Sequence, residues 1–179
     1  MMRRETIPVQ ASEPADLERA RLGELYLRHG PAALRLAYLL TGERALAEDL
    51  VQDAFVKLAG RLAHLREPEA FNAYLRRTIV NLHGMYLRRK RVERTYLRRE
   101  EAFASPPPDV PAIDLREYLW RALLLLPARQ RAALVLHYYE DLTEADAADV
   151  LGCRPGTYRS LVARGMRTLR TRIRSEGDG

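Results

Sequence analysis

The sequence predicts an all-α protein made of two small helical domains joined by a proline-rich linker. Apolar residues recur at the spacing of one helix face through most of the chain, and no stretch alternates with the period of a strand. The segment 105–111, SPPPDVP, is too rich in proline to continue a helix. We therefore expect a disordered N-terminus at 1–15, a first domain at 16–102, the linker at 103–112 and a second domain at 113–175.

Glycine and proline mark the expected ends of the helices in the first domain. A helix over about 17–29 should end near Gly30, and Pro31 should begin a second one that stops at Thr41. A third helix is expected over about 44–63. A fourth is expected from Pro68 to about 100.

The second domain holds the most informative segment, 142–170, LTEADAADVLGCRPGTYRSLVARGMRTLR. It follows two helices expected at 113–126 and 128–139 and predicts a helix–turn–helix. Gly152 would supply the positive φ of the turn, and Pro155 suits the first turn of the next helix. Small and apolar residues have the spacing that two crossed helices need to share a core: Ala147, Ala148, Leu151, Cys153, Tyr158 and Leu161.

The outward face of the second helix in this motif is rich in arginine. Its positions are Arg154, Gly156, Arg159, Ser160, Ala163, Arg164 and Arg167. Arginine reads guanine or binds phosphate, and a helix presented by such a turn fits the major groove of DNA. A face that is merely solvated is the alternative interpretation. The net charge of +6 and the pI near 9.8 favour a polyanionic partner.

The third expected helix has two distinct faces. A stripe with core spacing consists of Val51, Ala54, Phe55, Leu58, Leu62 and Leu65. Another face is acidic and polar, with Glu48, Asp49, Gln52 and Asp53. These acids suit either a docking surface for a basic protein or the positive end of the helix dipole.

The fourth expected helix is strongly basic. Between Arg76 and Arg99 there is a single acid, Glu93, against nine cations: Arg76, Arg77, Arg88, Arg89, Lys90, Arg91, Arg94, Arg98 and Arg99. Phe71, Tyr74, Tyr86 and Tyr96 are interleaved with them. Such a combination binds single-stranded or melted DNA, because cations follow the backbone while aromatic rings stack on bases. For Phe71 and Tyr74, a place in the core is the alternative.

Several classes of function are disfavoured by the composition. Cys153 is the only cysteine, so no disulfide or cysteine zinc site is expected, and the four histidines lack metal-ligand spacing. We expect no metal, no cofactor and no catalytic residue. The N-terminus lacks a secretory signal, and no apolar run is long enough to cross a membrane, so a cytoplasmic protein is expected.

Three strings together resemble the extracytoplasmic-function (ECF) sigma factors of bacterial RNA polymerase, in particular the actinobacterial SigE-like subgroup. LRLAYLLTGERALAEDLVQDAFVKL and EPEAFNAYLRRTIVNLHGMYLRRKR are similar to the start and end of sigma region 2. LPARQRAALVLHYYEDLTEADAADVLGCRPGTYRSLVARGMRTLR is similar to region 4. The resemblance covers about 20–174 and implies a promoter-specificity factor that directs transcription initiation and is not itself an enzyme.

The resemblance also implies partners and residue roles. Core RNA polymerase would be bound at its β′ clamp helices by Asp49, Gln52 and Asp53, and region 4 would meet the β flap. The −10 promoter element would be recognised by Phe71, Tyr74, Arg77, Asn81 and Arg88. The −35 element would be read by Arg154, Thr157, Arg159, Ser160 and Arg164. The sequence leaves open the promoter motif, the inducing signal and whether an anti-sigma factor is a partner.

Some positions depart from the family pattern. Tyr74 stands where many members have tryptophan, and Tyr158 stands where a valine or isoleucine is usual. Two other classes were weighed against the resemblance. One is a dimeric helix–turn–helix repressor or activator that binds free duplex DNA. The other is a nuclease-like enzyme, which would need a third metal ligand beside Asp49 and Asp53.

Overall fold

The computed structural model describes residues 14–61, 68–97 and 115–177, and in these residues it contains seven α-helices and no strand. The predicted all-α class is confirmed. The helices are α1 (Pro14–Thr41), α2 (Arg44–Ala59), α3 (Pro68–Leu97), α4 (Leu115–Leu124), α5 (Ala128–Tyr138), α6 (Glu144–Val150) and α7 (Pro155–Gly177). The expected linker at 103–112 lies outside the described residues.

The expected break at Gly30-Pro31 is wrong, because α1 runs through both residues without interruption. A proline inside a helix removes the hydrogen bond to the carbonyl four residues earlier, here that of Leu27. Leu27 and Pro31 are both exposed, so water can hydrate that carbonyl. Leu25 and Leu36, on either side of the proline, both pack on the core, and this shared burial holds the two halves in one helix.

The other helix ends differ little from the expected ones. Helix α1 begins at Pro14, so the last two residues of the expected disordered segment 1–15 are helical, and 1–13 lie outside the described residues. Helix α2 ends at Ala59 rather than near 63, and the segment 62–67 that follows is also outside. The predicted break at Pro127 separates α4 from α5.

Helices α1, α2 and α3 form a first bundle around aromatic side chains. The Phe55 and Phe71 ring centroids are 5.9 Å apart, and Tyr26 packs edge-on against Phe55 at 5.0 Å. Leu40 and Ile79 are fully buried in the same core. Of the predicted stripe on α2, the described members are all buried, namely Val51, Ala54, Phe55 and Leu58.

Helices α5, α6 and α7 form the second unit, and α5 supplies its centre. Residues 131–136 of α5 are buried without a break. On the motif side, Ala147, Ala148, Tyr158 and Leu161 are buried. The predicted shared core of the helix–turn–helix is confirmed at these positions. Leu151 and Cys153 are only partly buried and pack against its edge.

The two units pack directly on each other. Their buried apolar residues form one continuous cluster that extends from Ala33 to Leu161. At one edge, the Tyr38 and Trp120 rings stack with centroids 4.9 Å apart. Nearby, a Cβ added at Gly42 would lie 2.7 Å from the side chain of Leu124, and the φ of +75° at Gly42 also favours glycine.

Two buried polar side chains accompany this packing, His83 of α3 and Arg131 of α5. His83 is 4% exposed, and burial lowers its pKa to about 4, with a further contribution from the positive charge of Arg131. Burial also lowers the pKa of Arg131, whose Nε has no hydrogen-bond partner. His83 is therefore neutral in the folded protein at neutral pH.

We expect the free energy of unfolding to decrease as the pH is lowered from about 6.5 towards about 4, because only the unfolded chain binds a proton at His83 in this range. The loss is about 2–3 kcal/mol for this one group. Urea unfolding at a series of pH values measures it. In His83→Gln the dependence should be weaker, and His137→Gln, at an exposed position of α5, is the control. An unchanged dependence in His83→Gln would show that another group is responsible.

Candidate functional site

The helix–turn–helix is built by local capping and one glycine turn. Thr143 caps α6: its hydroxyl oxygen accepts a hydrogen bond from the Asp146 backbone N–H at 3.2 Å and its O–H donates to the Asp146 carboxylate at 2.6 Å. Gly152 has a φ of +58°, as predicted for the turn. Helix α7 then begins at Pro155, where the missing N–H costs no hydrogen bond.

The outward face of α7 is exposed as predicted. All the residues assigned to the −35 element are exposed: Arg154, Thr157, Arg159, Ser160 and Arg164. Their hydrogen bonds and ion pairs stay within the helix–turn–helix. Arg159 Nε lies 3.1 Å from the Glu144 carboxylate, and Arg164 Nε donates to the Ser160 carbonyl at 3.1 Å. Arg154, Arg159 and Arg164 remain exposed to water.

Tyr158 faces the opposite way and fixes the orientation of α7. It is 1% exposed, and its O–H donates to the carbonyl of Ala133 on α5 at 3.3 Å. Burial raises its pKa to about 12, with the negative charge of Glu144 adding to the effect. This position, which departs from the family pattern, therefore belongs to the core of the motif and not to its reading face.

The acidic face of α2 is open to solvent. Glu48, Asp49, Gln52 and Asp53 are all exposed, and we call them the acidic patch. Arg44 Nε donates to Glu48 at 2.8 Å, whereas Asp49 and Asp53 remain facing water. The first turn of α2 contains no acid. The helix-dipole interpretation is therefore weak for this patch, because that effect falls off beyond the first turn.

Helix α3 presents its predicted side chains on two different sides. Tyr74, Asn81 and Arg88 are exposed, and Arg77 is partly exposed. Phe71, in contrast, is 1% exposed and packs against Phe55 and the ring of His29. We correct its expected role: a ring enclosed by other rings cannot stack on a base, so Phe71 is a core residue.

The structure also brings together residues that the sequence did not indicate. Arg76 Nε donates to Glu140 at 2.5 Å, and Arg77 Nη1 lies 3.1 Å from both carboxylate oxygens of Asp149. Arg35 Nε donates to the Tyr139 hydroxyl at 2.9 Å. Each contact joins the first unit to the second across 64 or more positions of sequence. No local pattern marks such pairs, so only the packing of the two units reveals them.

Among the described residues, no group of three or more histidine, cysteine, aspartate or glutamate side chains is placed to hold a metal ion. No helix in the same part of the chain is long and apolar enough to cross a membrane.

Comparison with known proteins identifies the two units. Residues 25–93 match the family model of sigma-70 region 2, and residues 116–169 match that of sigma-70 region 4. The chain is 35% identical over 159 residues to the ECF RNA polymerase sigma factor SigE of Mycolicibacterium smegmatis, covering 82% of this chain and 59% of that protein. It is 31% identical over 150 residues to the RNA polymerase sigma-E factor of Streptomyces avermitilis, covering 80% of each chain.

A solved structure agrees with these matches. The sigma factor RpoE of Bartonella quintana, crystallised in complex with the anti-sigma factor NepR, superposes with a TM-score of 0.64 at 26% identity. The superposition covers 86% of this chain and 97% of that one. The fold and both conserved regions thus define a sigma-70-type protein. Within that class, the chain belongs to the ECF sigma factors of bacterial RNA polymerase. Sigma factors are regulatory subunits of RNA polymerase, so the repressor alternative is set aside.

We expect Tyr158→Phe to destabilise the protein by about 1 kcal/mol, because the buried ring is retained and only the hydrogen bond to Ala133 is lost. Tyr138→Phe removes a hydroxyl from an exposed tyrosine of α5 and is the matched control for the chemical change. Thermal unfolding compares the two variants. If Tyr158→Phe instead changed promoter choice at unchanged stability, Tyr158 would belong to the reading face.

Proposed function

We propose that this sigma factor binds core RNA polymerase through the acidic patch, recognises the −10 element with α3 and reads the −35 element with α7. One observation carries the proposal: α7 exposes its arginines on one face while Tyr158 anchors the opposite face in the core. A helix held in this way presents side chains to a groove at a fixed rotation. The duplex is opened within the holoenzyme, and transcription starts there.

At the −35 element, two kinds of contact have different consequences. Arginine contacts to phosphate position the protein and make its affinity depend on salt, without reading sequence. Contacts to base edges discriminate between sequences. Arg159 and Ser160 lie in the first two turns of α7, where a recognition helix meets the bases, and Arg164 lies one turn further along. We therefore assign base reading to Arg159 and Ser160, with Arg154, Thr157 and Arg164 supporting them.

At the −10 element, the proposed set is Tyr74, Arg77, Asn81 and Arg88. The exposed Tyr74 ring is available to stack on an unpaired base, and Arg88 supplies charge for the backbone. Asn81 carries both a donor and an acceptor for a base edge. Phe71 is left out of this set because it is buried.

Toward the polymerase, the acidic patch complements a basic protein surface, for which the β′ clamp helices are the proposed partner. Asp49, Gln52 and Asp53 are the contact residues, and region 4 is assigned to the β flap. The chain performs no hydrolysis of its own in this proposal. It acts in the cytoplasm, where promoter DNA lies. The relative RpoE binds an anti-sigma factor, and we extend this kind of partner to the present chain.

Run-off transcription tests the function as a whole. Purified core polymerase is combined with the protein on a library of genomic promoter fragments, with core polymerase alone as control. Discrete transcripts that need the protein would support the proposal and give both promoter elements. Absence of core binding together with absence of transcripts would refute it.

For Arg159→Ala we expect a loss of −35-dependent transcription of about tenfold, within the roughly 1–3 kcal/mol of a good base contact, and relaxed preference at one base pair. Arg174→Ala removes an exposed arginine from the last turn of the same helix and is the matched control. Transcription from a set of −35 point variants measures both effects. Equal profiles for the two variants would exclude Arg159 from base reading.

For Asp49→Lys and Asp53→Lys we expect weaker binding to core polymerase, by about tenfold or more for each, because a like charge then meets the basic partner surface. Glu24→Lys makes the same charge change at an exposed position of α1. Fluorescence anisotropy of labelled protein with core polymerase compares them, and circular dichroism verifies the fold. If all three variants bound like the wild type, the acidic patch would not be the docking surface.

A further inference from the structure

Two neighbouring arginines of α3 are occupied by carboxylates of the second unit. Arg76 binds Glu140, which precedes α6, and Arg77 binds Asp149 near the end of α6. Both arginines belong to the basic helix assigned to the −10 element. The acids come from the domain assigned to the −35 element, so one DNA-binding domain covers part of the surface of the other.

The two pairs differ in burial and therefore in role. Glu140 is 8% exposed and Arg76 is 22% exposed, at a nitrogen–oxygen distance of 2.5 Å. Removal of either charge would leave the other charge buried without a partner, which is strongly unfavourable. The Arg77 and Asp149 side chains are 44% and 71% exposed, so that pair is weaker and sensitive to salt. The buried pair strengthens the apolar contact between the units, and the more exposed pair covers a residue of the proposed −10 set.

A guanidinium group engaged by a carboxylate is less available to phosphate, because both anions use the same N–H donors. Asp149 places both of its carboxylate oxygens on Arg77 Nη1, so this nitrogen is occupied and cannot donate fully to a phosphate. A ligand that binds only the open form has its apparent affinity reduced by the fraction of molecules that are open.

From this geometry we infer that Glu140 and Asp149 form a carboxylate latch, which holds the two domains together in the free protein and competes with DNA for Arg76 and Arg77. The free sigma factor is thereby restrained from binding DNA through α3, and separation of the domains releases the two arginines. The inference rests on the proposed function in one respect, namely that α3 binds DNA.

The test compares two double variants of the full chain that carry the same change in charge. Glu140→Gln with Asp149→Asn removes the latch. Asp141→Asn with Asp146→Asn removes two neighbouring exposed acids, neither of which contacts α3 through a hydrogen bond or ion pair in the structure. Asparagine is well tolerated at the positive φ of Asp141. The probe is a fluorescein-labelled oligothymidine of about 20 nucleotides, since stacking and backbone contacts tolerate any base.

We expect the latch variant to bind the probe about tenfold more tightly than the control variant. Its radius of gyration, measured by small-angle X-ray scattering, should also be larger. Equal affinities of the two variants would overturn the inference. A larger radius with equal affinity would overturn it as well, because the acids would then join the domains without competing with DNA.

Two further measurements distinguish a failure of the latch from unfolding of the variant and from a failure of the proposed function. If circular dichroism shows that Glu140→Gln unfolds the protein, Asp149→Asn alone is compared with Asp146→Asn, and the tighter binding is expected in Asp149→Asn. Run-off transcription with core polymerase is measured on the wild type. Absence of transcripts would count against the proposed function. The latch is tested separately, by the ratio of the affinities of the latch variant and the control variant for the probe.

Discussion

Burial of one face of each helix determines where every charged surface of this protein lies. Tyr158, enclosed by α5 and hydrogen-bonded to Ala133, sets the rotation of α7 and so turns Arg159 and Arg164 towards solvent. In α2, the buried stripe that includes Phe55 leaves the acidic patch on the opposite side. The apolar cluster runs without a break from the first unit to the second. It therefore fixes the rotation of individual helices and also the position of one domain against the other.

Packing one domain against the other has an electrostatic cost, because it buries charged side chains. Opposite charges offset part of this cost. Packing the units together removes Glu140 from water, and a buried carboxylate is unfavourable unless an opposite charge and a hydrogen bond accompany it. Arg76 supplies both. The charge of Arg131 is compensated less well, since its Nε is buried without an acceptor. Burial, with a further contribution from the charge of Arg131, keeps His83 neutral beside it. The interface between the domains thus combines a stable apolar part with polar groups whose balance is easily changed.

Local features were predictable from sequence because their causes are local. Gly152 at the turn, Pro155 at the start of α7 and the inward spacing from Ala147 to Leu161 follow from backbone preference and helix periodicity, and the structure agrees with them. The break expected at Pro31 was wrong because burial on both sides of it outweighed the loss of one hydrogen bond. Phe71 was ambiguous for a related reason: an aromatic residue on a basic helix suits a base or a core equally well. The pairs between α3 and the second unit depend on long-range packing, which periodicity does not reveal.

With the two units packed together, the proposed interfaces are not equally exposed. This difference implies an order in which polymerase and DNA are bound. The acidic patch on α2 faces solvent, and so does the arginine face of α7, where the carboxylate paired with Arg159 is that of Glu144 in the same unit. Arg77 of α3 is the member of the −10 set that is already held by a carboxylate. With the proposed assignments, core polymerase engages the patch without any rearrangement, whereas contact of Arg77 with DNA needs the second unit to move. In the proposed scheme polymerase binding comes first, and separation of the two units then releases Arg77 for DNA. Coupling of this kind is reciprocal: if polymerase binding favours separation of the units and so strengthens the contact of α3 with DNA, that DNA contact must strengthen polymerase binding by the same factor.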